Sequence, residues 1–343
     1  MHKVITFGIP SYNAAKDMDH CITSILEGSN YATDIEIIVV DDGSKDETAA
    51  KADEWEARYP GIIRAVHQEN GGHGIAVLSG LREAQGTYYK VVDSDDWLDG
   101  AALSTMLSIL RGFEERDQRV DLFISNYVYE KVYEGTHTAI GYKFALPRKK
   151  IFSWDQIGHF RPDQNLLMHS LCYRTDVLRE SNLPMPAHTF YVDNIYAYVP
   201  LPRCKTIYYA DIDLYRYFIG REGQSVNEAT MVKRLGQQFR VTRIMMESFH
   251  LYQDVESSRL RSYMMGYFTM MMAICSVLTK LSEEDCADER LKTLWKDLKE
   301  YDERMYRRAR YGVVGFFTNL RGRAGDKTTL GLYHLASKIF KFN

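Results

Sequence analysis

The 343-residue sequence has few cysteines, and they show no pattern. The five are Cys21, Cys172, Cys204, Cys275 and Cys286, and none forms a CxxC pair. An odd number of scattered cysteines argues against a disulfide framework and against a zinc motif. We therefore expect unpaired thiols in a reducing compartment.

The sequence also lacks an excess of charge of either sign. Its 43 lysines and arginines nearly balance its 46 aspartates and glutamates, which gives a net charge of −3 at pH 7. This balance does not indicate a nucleic-acid partner or an acidic interaction tail. We expect no binding to nucleic acid.

No apolar run has the length of a membrane span. The first thirteen residues reach proline and polar residues too soon for the apolar core of a signal peptide. Residues 263–278 are almost entirely apolar, but they fall short of the roughly 20 residues that a spanning helix needs. They predict a helix that is buried in the protein or docked on a partner, with a hydrophobic surface patch as the alternative.

The first hundred residues alternate between strand and helix patterns. The residues at 35–44 form a continuous β-branched run, which is typical of a parallel strand covered on both faces. Strands are predicted at residues 3–13, 35–44, 62–72 and 88–96, and helices at residues 17–28, 46–59 and 73–85. This order predicts βαβ units and an α/β fold with a mostly parallel sheet flanked by helices.

The later residues change in character. A helix is predicted at residues 101–119, and strands or a hairpin follow it. Beyond about residue 227, long helical patterns dominate. We therefore place a domain boundary near residue 225, between domain 1–225 and a mainly helical region, 226–343.

Two predicted strands end in carboxylates. Asp41 and Asp42 end the second strand, and Asp93, Asp95 and Asp96 follow "YYKVV". Three carboxylates within four residues repel one another, and a divalent cation held by carboxylate oxygens would relieve this repulsion. A solvated acidic turn is the alternative at the second cluster, and turn or helix capping with Ser44 is the alternative at the first.

The carboxyl ends of parallel strands are where such sheets bind ligands. This topology would also suit a dinucleotide-binding enzyme, but no GxGxxG follows the first strand. The position of both clusters therefore favours a binding site over a solvated turn.

Several motifs follow one another along the chain. They are "IPSYNAAKDMDHCITSI", "IEIIVVDDGSKDET" and "HQENGGHGIAVLSGLREAQGTYYKVVDSDDWLD", extended by "FYVDNIYAYVPL" and "LYRYFIGREGQSVN". In this order they resemble the motifs of the family 2 inverting glycosyltransferases with the GT-A fold. The resemblance implies a nucleotide-sugar-binding half, 1–100, and an acceptor-binding half, 101–225. The region 226–343 is covered only weakly.

The resemblance also implies roles for individual residues. The donor-binding set comprises Pro10, Tyr12, Asn13, Asp41, Asp42, Asn70, Gly71, Asp93, Ser94 and Arg221. Asp95, with Asp93, would hold Mg²⁺ or Mn²⁺. The family's loop arginine is replaced here by Ala76 or Val77, which puts a side-chain phosphate contact from that loop in doubt.

On the acceptor side, the resemblance makes Asp193 the general base. Val192 stands where many relatives have a glutamate. Trp97, Asp96 and His169 would line the acceptor cleft, although packing for Trp97 and core hydrogen bonding for His169 are alternatives. A helix-stabilising charge is the alternative for Asp193.

The implied function is transfer of a sugar from a nucleotide-diphosphate donor, with UDP expected, to a hydroxyl of a glycan, glycolipid or cell-surface polymer. A nucleotidyltransferase and a non-catalytic nucleotide-sugar-binding or glycan-binding domain remain alternatives. The expected location is the cytoplasm, with peripheral attachment to the inner face of the membrane left open. The basic and apolar tail, 311–343, would lie on a membrane surface or pack on its own domain or on a second protomer.

Overall fold

The computed structural model describes residues 2–161, 164–220, 227–320 and 322–340, with side chains to residue 335. The chain divides into two compact units. The first comprises Met1–Gly158 and Leu166–Ile219, and the second comprises His159–Asn165 and Gly220–Asn343. No sequence pattern indicated that the short segment His159–Asn165 belongs with the C-terminal helices.

Ten strands among the described residues form one mixed sheet in the first unit. They are β1 (Lys3–Ser11), β2 (Ile35–Asp41), β3 (Ile63–His67), β4 (Gly86–Val91), β5 (Trp97–Leu98), β6 (Leu122–Lys131), β7 (Thr136–Ile140), β8 (Ile151–Phe152), β9 (Leu171–Arg174) and β10 (Ile207–Phe218). The strand order is β3-β2-β1-β4-β9-β6-β10-β5, with β7 beside β6 and β8 beside β10. The strands β1 to β4 pair in parallel, and so do β6 and β10. These pairings confirm the prediction of a mostly parallel sheet.

The helices of the first unit are α1 (Met18–Gly28), α2 (Thr48–Arg58), α3 (His73–Glu83), α4 (Gly100–Glu115), α5 (Thr175–Glu180) and α6 (Asp193–Tyr198). α1 shows why these segments fold as they do. Its buried side chains recur at helical spacing, at Met18, Cys21, Ile22, Ile25 and Leu26. β2, in contrast, is buried along its whole length, as its continuous apolar run predicted.

The register of the parallel strands places their carboxyl ends at one edge of the sheet. Ser11 at the end of β1 pairs with Asp41 at the end of β2. On the other side of β1, Gly8 pairs with Val91 at the end of β4. The two predicted acidic clusters therefore follow strands that flank β1 on either side, at the same edge.

The second unit is helical in its described residues, as predicted. Its helices are α7 (Glu228–Lys233), α8 (Leu235–Glu247), α9 (Leu251–Asp254), α10 (Ser258–Leu281), α11 (Ala287–Tyr301), α12 (Glu303–Tyr311), α13 (Val313–Thr318) and α14 (Gly322–Phe340). Within the described residues, α10 is the one helix long and apolar enough to cross a membrane, and 67% of its most apolar window is buried in the protein. This confirms the helix predicted at residues 263–278 and its largely buried character.

Tyr89 sets the distance at which α3 packs on the sheet. Its side chain is fully buried, and its hydroxyl donates a hydrogen bond to the Val77 carbonyl oxygen of α3 (3.1 Å). A Cβ atom added at Gly80 would lie 2.6 Å from this hydroxyl, and its next neighbour, Val40 Cγ2, would be 3.5 Å away. The hydroxyl alone therefore requires glycine at position 80.

We expect Gly80→Ala to destabilise the protein by about 1–3 kcal/mol, because it overpacks the contact between Tyr89 and α3. In a Tyr89→Phe background the clash is removed. There, Gly80→Ala should be neutral or stabilising, because alanine favours a helix interior. Thermal unfolding of the four proteins of this double-mutant cycle measures the effect.

Gly266→Ala is the matched control, since nothing lies within 4 Å of a Cβ added at this position of α10. It should not destabilise the protein. Equal destabilisation by Gly80→Ala in the wild-type background and in the Tyr89→Phe background would contradict this account of the packing.

Candidate functional site

The acidic turn after β4 is held in place by β10. The Asp93 N–H donates a hydrogen bond to the Tyr215 hydroxyl (3.1 Å), and that hydroxyl donates to Asp96 Oδ2 (2.7 Å). The Phe218 N–H donates to Asp96 Oδ1 (2.9 Å). Both oxygens of Asp96 therefore have partners on β10, and only 1% of the residue is exposed.

The raised pKa of Asp96 agrees with a role in holding the acidic turn in position. Burial, together with the negative charges of Asp95 and Asp93, raises the pKa of the Asp96 carboxyl well above its usual range. We expected Asp96 to contact the acceptor, but the structure turns it towards β10. Ser94 and Asp95 lie half-buried in the same turn.

His73, the first residue of α3, supplies a positive charge to this turn. Its Nε2 lies 2.8 Å from Asp93 Oδ1. Burial opposes protonation of His73, but the charge of Asp93 outweighs it, with help from Asp193 and Asp95, and the pKa of His73 is raised. Burial acts to raise the pKa of Asp93, but His73 lowers it below the usual range. The two side chains therefore form an ion pair that offsets part of the repulsion among the carboxylates.

His169 lies on the other side of Asp93, in the short turn before β9. Its ring is 4.5 Å from the ring centres of both Tyr215 and Tyr217. Burial lowers the pKa of His169 to about 4, so the imidazole is neutral at neutral pH. Its Nδ1 is buried and has no hydrogen-bond partner among the described residues. A neutral imidazole can ligate a metal ion through a ring nitrogen.

The residues present can accommodate a divalent metal ion. Asp93, Asp96 and His169 each offer one ligand atom, and these atoms lie within 4.8 Å of one another. Carboxylate oxygens with a neutral imidazole suit Mn²⁺ better than Mg²⁺, which prefers oxygen ligands alone. Asp95, the predicted direct ligand, is not part of this group, and its role stays a prediction.

A buried lysine fixes the segment that carries His169. Lys90 on β4 is fully buried, and its Nζ donates hydrogen bonds to the carbonyl oxygens of His169 (2.7 Å) and Leu171 (3.4 Å). Burial lowers the pKa of Lys90 to about 8, while Cys172 and Asp93 act to raise it. Lys90 thus ties β4 to the start of β9 and holds His169 beside the acidic turn.

Asp42 organises the glycine loop at the end of β3. Its carboxylate accepts hydrogen bonds from the N–H groups of Gly71 and Gly72 (2.8 Å each) and from Gln68 Nε2 (2.7 Å). The Asn70 side chain donates to the Asp42 carbonyl oxygen (2.8 Å). Asp42 is 1% exposed, so its partners here belong to the loop. The predicted contacts of Asp42, Asn70 and Gly71 with the donor stay predictions.

Glycine is required in this loop. Gly72 has φ +86°, and a Cβ added there would lie 3.0 Å from the backbone of His188. The His188 N–H also donates to the Gly71 carbonyl oxygen (2.8 Å). The loop is thereby clamped between Asp42 and residue 188, and this fixes where α3 begins with His73.

The end of β1 carries the residues predicted to bind the nucleotide. Tyr12 is 49% exposed there, whereas Pro10 is buried within the strand. Asn13 has φ +51°, and its Oδ1 accepts a hydrogen bond from the Lys45 N–H (2.8 Å). Asp41 Oδ1 accepts a hydrogen bond from the Ser44 N–H (3.1 Å), which is the turn capping considered as an alternative. Tyr12 is therefore the member of this group whose side chain is most available to a base.

Asp193 lies in the first turn of α6 and belongs to the same group of charges. Burial raises the pKa of its carboxyl, the charge of His73 opposes this rise, and Asp93 adds to it. Val192 is buried, and a Cβ added at Gly74 would lie 3.1 Å from Val192 Cγ2. The residue that replaces the family's glutamate therefore packs against α3, directly beside His73.

The remaining predicted residues are Trp97 and Arg221, and Arg216 of β10 pairs with Trp97 of β5. Trp97 on β5 packs against the rings of His20 (5.0 Å) and Phe218 (6.4 Å). Arg216 pairs with Asp99 (2.9 Å) and Glu130 (2.8 Å), so it is a structural ion-pair former. Arg221 lies outside the described residues.

Sequence reasoning missed Tyr215 and Lys90 as site residues. Tyr215 and Tyr217 share one face of β10, because alternate residues of a strand point the same way. This spacing could have indicated a polar aromatic lining. A lysine inside an apolar strand gives no comparable signal, because its partners are carbonyl groups from a distant segment.

Comparison with known proteins finds similarity to one family over part of the chain. Residues 6–167 match the family model described as glycosyl transferase family 2. Chondroitin synthase of Escherichia coli is 30% identical over 159 residues, 46% of this chain and 22% of that protein. The glycosyltransferase EpsJ of Bacillus subtilis is 37% identical over 101 residues, 29% of this chain and 28% of that protein. The chain thus spans less than a third of the length of these two relatives.

Solved structures share the fold. The Staphylococcus aureus TarS fragment 1–349 superposes with a TM-score of 0.68 at 15% identity, over 96% of this chain and 91% of that chain. The same fragment is known in complex with UDP-GlcNAc. The mannosyltransferase PcManGT of Pyrobaculum calidifontis, in complex with GDP-Man and Mn²⁺, gives a TM-score of 0.52 at 15% identity, over 93% and 88% of the two chains. The first unit therefore has the GT-A fold.

The metal group gives a direct prediction. We expect His169→Phe to weaken Mn²⁺ binding at least about tenfold, because it removes one of the three candidate ligand side chains while keeping an aromatic ring beside Tyr215 and Tyr217. Titration of Mn²⁺ in the presence of UDP, followed by the electron paramagnetic resonance signal of the free ion, measures this.

His2→Phe is the matched control, since His2 precedes β1 at the end opposite the acidic turn and pairs with Glu114. It should leave Mn²⁺ binding unchanged. If Asp95→Asn abolishes Mn²⁺ binding while His169→Phe does not alter it, the ion is held by Asp95 and the group with His169 is not the metal site.

Proposed function

Because residues 6–167 match the family model described as glycosyl transferase family 2, we propose that the chain is an inverting glycosyltransferase. It transfers one sugar from a nucleotide-diphosphate donor, UDP-linked, to a hydroxyl of a glycan, glycolipid or cell-surface polymer. The observation that supports this most strongly is the grouping of Asp193, His73 and Asp93 at the carboxyl edge of the parallel strands.

Asp193 is the base in this proposal. Inversion requires a group that takes the proton from the acceptor hydroxyl as it attacks opposite the leaving diphosphate. Burial raises the pKa of Asp193, so its carboxylate accepts a proton more readily than an exposed one. His73 stays paired with Asp93 and keeps the local charge from raising that pKa further.

The donor is held at the ends of β1 and β2. Tyr12 offers an exposed ring on which a base can stack, and the loop fixed by Asp42 lies beside it. UDP-GlcNAc in TarS and GDP-Man in PcManGT support a nucleotide-sugar as the ligand class. The choice of UDP for this chain is part of the proposal.

A divalent metal ion would be held by Asp93 together with further ligands. These ligands are either Asp96 and His169, or Asp95. When bound, Mg²⁺ or Mn²⁺ would neutralise the negative charge of the departing diphosphate. The Mn²⁺ in PcManGT supports this assignment. The chain's own contribution is to fix the ligand geometry, since Tyr215 and Lys90 hold the turn and the histidine segment in place.

Asp193→Asn tests the base. The amide cannot take a proton, so sugar transfer should fall by at least about 10²-fold, which is the scale of general base catalysis. UDP binding should be largely unchanged, because the substitution keeps size and polarity. Transfer is followed by release of UDP with an acceptor mixture, and binding by calorimetry.

The exposed carboxylate Asp155 in the same unit provides the control. Asp155→Asn should retain wild-type transfer. Wild-type transfer by Asp193→Asn would remove Asp193 from the mechanism.

A donor screen separates the proposal from its rivals. We expect a UDP-sugar to raise the unfolding temperature more with Mn²⁺ than without it, and to be hydrolysed slowly in the absence of acceptor. A GDP-sugar with this behaviour would overturn the choice of UDP. Pyrophosphate release from a nucleoside triphosphate would indicate a nucleotidyltransferase, and binding without any turnover would indicate a non-catalytic domain.

A further inference from the structure

The positive charge of the chain is concentrated near its C-terminus. Residues 303–343 contain nine lysines and arginines and only two carboxylates, which gives a net charge of +7. The whole chain carries −3, so the preceding residues carry −10. The net charge of this segment is opposite in sign to that of the preceding residues, which indicates an anionic partner.

The two carboxylates in this segment are already paired. Glu303 accepts a hydrogen bond from Arg307 (2.8 Å), and Asp326 pairs with Lys280 of α10. Arg308, Arg323 and Lys327 are exposed. Their charges are therefore presented to solvent.

One face of α13 is apolar and exposed. Val313, Phe316 and Phe317 are spaced i, i+3 and i+4, which places them on the same side of the helix. They are 75%, 54% and 41% exposed. Gly315 lies on the opposite side and is buried against α12, because a Cβ added there would lie 1.7 Å from the Ala309 carbonyl oxygen. α12 thus covers the glycine side and leaves the aromatic side uncovered.

α14 adds to this apolar surface. Leu332 and Leu335 are spaced i and i+3 and are 41% and 54% exposed. The helix is anchored by Thr329, whose hydroxyl donates to the Phe317 carbonyl oxygen (2.7 Å). Among the described residues, thirteen large hydrophobic residues are exposed. Seven of these thirteen lie between residues 311 and 335. A concentration of this kind marks an interaction surface.

We propose that a C-terminal surface of the chain binds an anionic lipid bilayer. Its apolar side chains are Tyr311, Val313, Phe316, Phe317, Leu332 and Leu335, and its basic side chains are Arg308, Arg323 and Lys327. Apolar side chains on short helices enter the interface between headgroups and acyl chains, and the cations bind anionic headgroups. Pairing of this surface with the same surface of a second copy fits less well, since two segments of charge +7 would repel each other. The proposal does not depend on the proposed function, because lipid binding requires no sugar transfer.

Co-sedimentation of the full chain with vesicles tests the proposal. Wild type should bind phosphatidylcholine vesicles that contain phosphatidylglycerol, bind vesicles of phosphatidylcholine alone much more weakly, and dissociate from the anionic ones as salt rises. The double variant Phe316→Ser with Phe317→Ser should lower partitioning at least about tenfold. Arg308→Gln and Lys327→Gln should each lower it about fivefold.

Matched controls come from other exposed residues. Phe144→Ser removes an aromatic ring that is 80% exposed in the first unit, and Lys296→Gln removes a charge from an exposed side chain of α11. Both should bind vesicles as wild type does. Thermal unfolding checks that all variants are folded.

Three results would overturn the proposal: no binding of wild type to anionic vesicles, equal binding to neutral and anionic vesicles, or equal loss in the control variants. Self-association that the phenylalanine variant abolishes, without vesicle binding, would assign the surface to a second copy. Sedimentation velocity distinguishes that result.

Discussion

The site depends on the compensation of negative charge at the carboxyl edge of the parallel strands. Asp93, Asp95 and Asp96 follow one buried strand, and without opposing interactions their repulsion would open the turn. Three interactions prevent this: the ion pair of Asp93 with His73, the hydrogen bonds of Asp96 with β10, and burial that favours the neutral form of Asp96. A divalent ion would add to a compensation that the protein already contains.

Much of this arrangement could be predicted from local sequence. The continuous apolar run of β2, the helical spacing in α1 and the acidic residues after β4 are each encoded within a short stretch of neighbouring residues. Since parallel strands end at one edge, the meeting of Asp41, Asp42 and Asp93 follows from topology. The parallel arrangement of β1 to β4 was predictable for the same reason, whereas the GT-A fold was predicted from the resemblance of the motifs to those of a known family.

The partners of these residues could not be predicted, because they come from distant segments. Tyr215 lies 122 residues from Asp93, and Lys90 lies 79 residues from the His169 carbonyl that it binds. No periodicity encodes such pairs, since they depend on how the sheet brings β4, β9 and β10 together. The hydrogen bond of Asp96 to the Tyr215 hydroxyl of β10 is another such pair, and the acceptor contact expected of Asp96 stays a prediction.

The departure at Val192 has a packing explanation. A glutamate there would place a charged side chain where Val192 contacts α3 beside Gly74, in a region that already holds Asp93 and Asp193. An apolar residue avoids a further like charge and fills the space next to a helical glycine. The position of Asp193 is therefore set by van der Waals contact with the helix that carries His73. Asp193, the proposed base, and His73, whose charge lowers its pKa, thus belong to two segments that pack together at Val192 and Gly74.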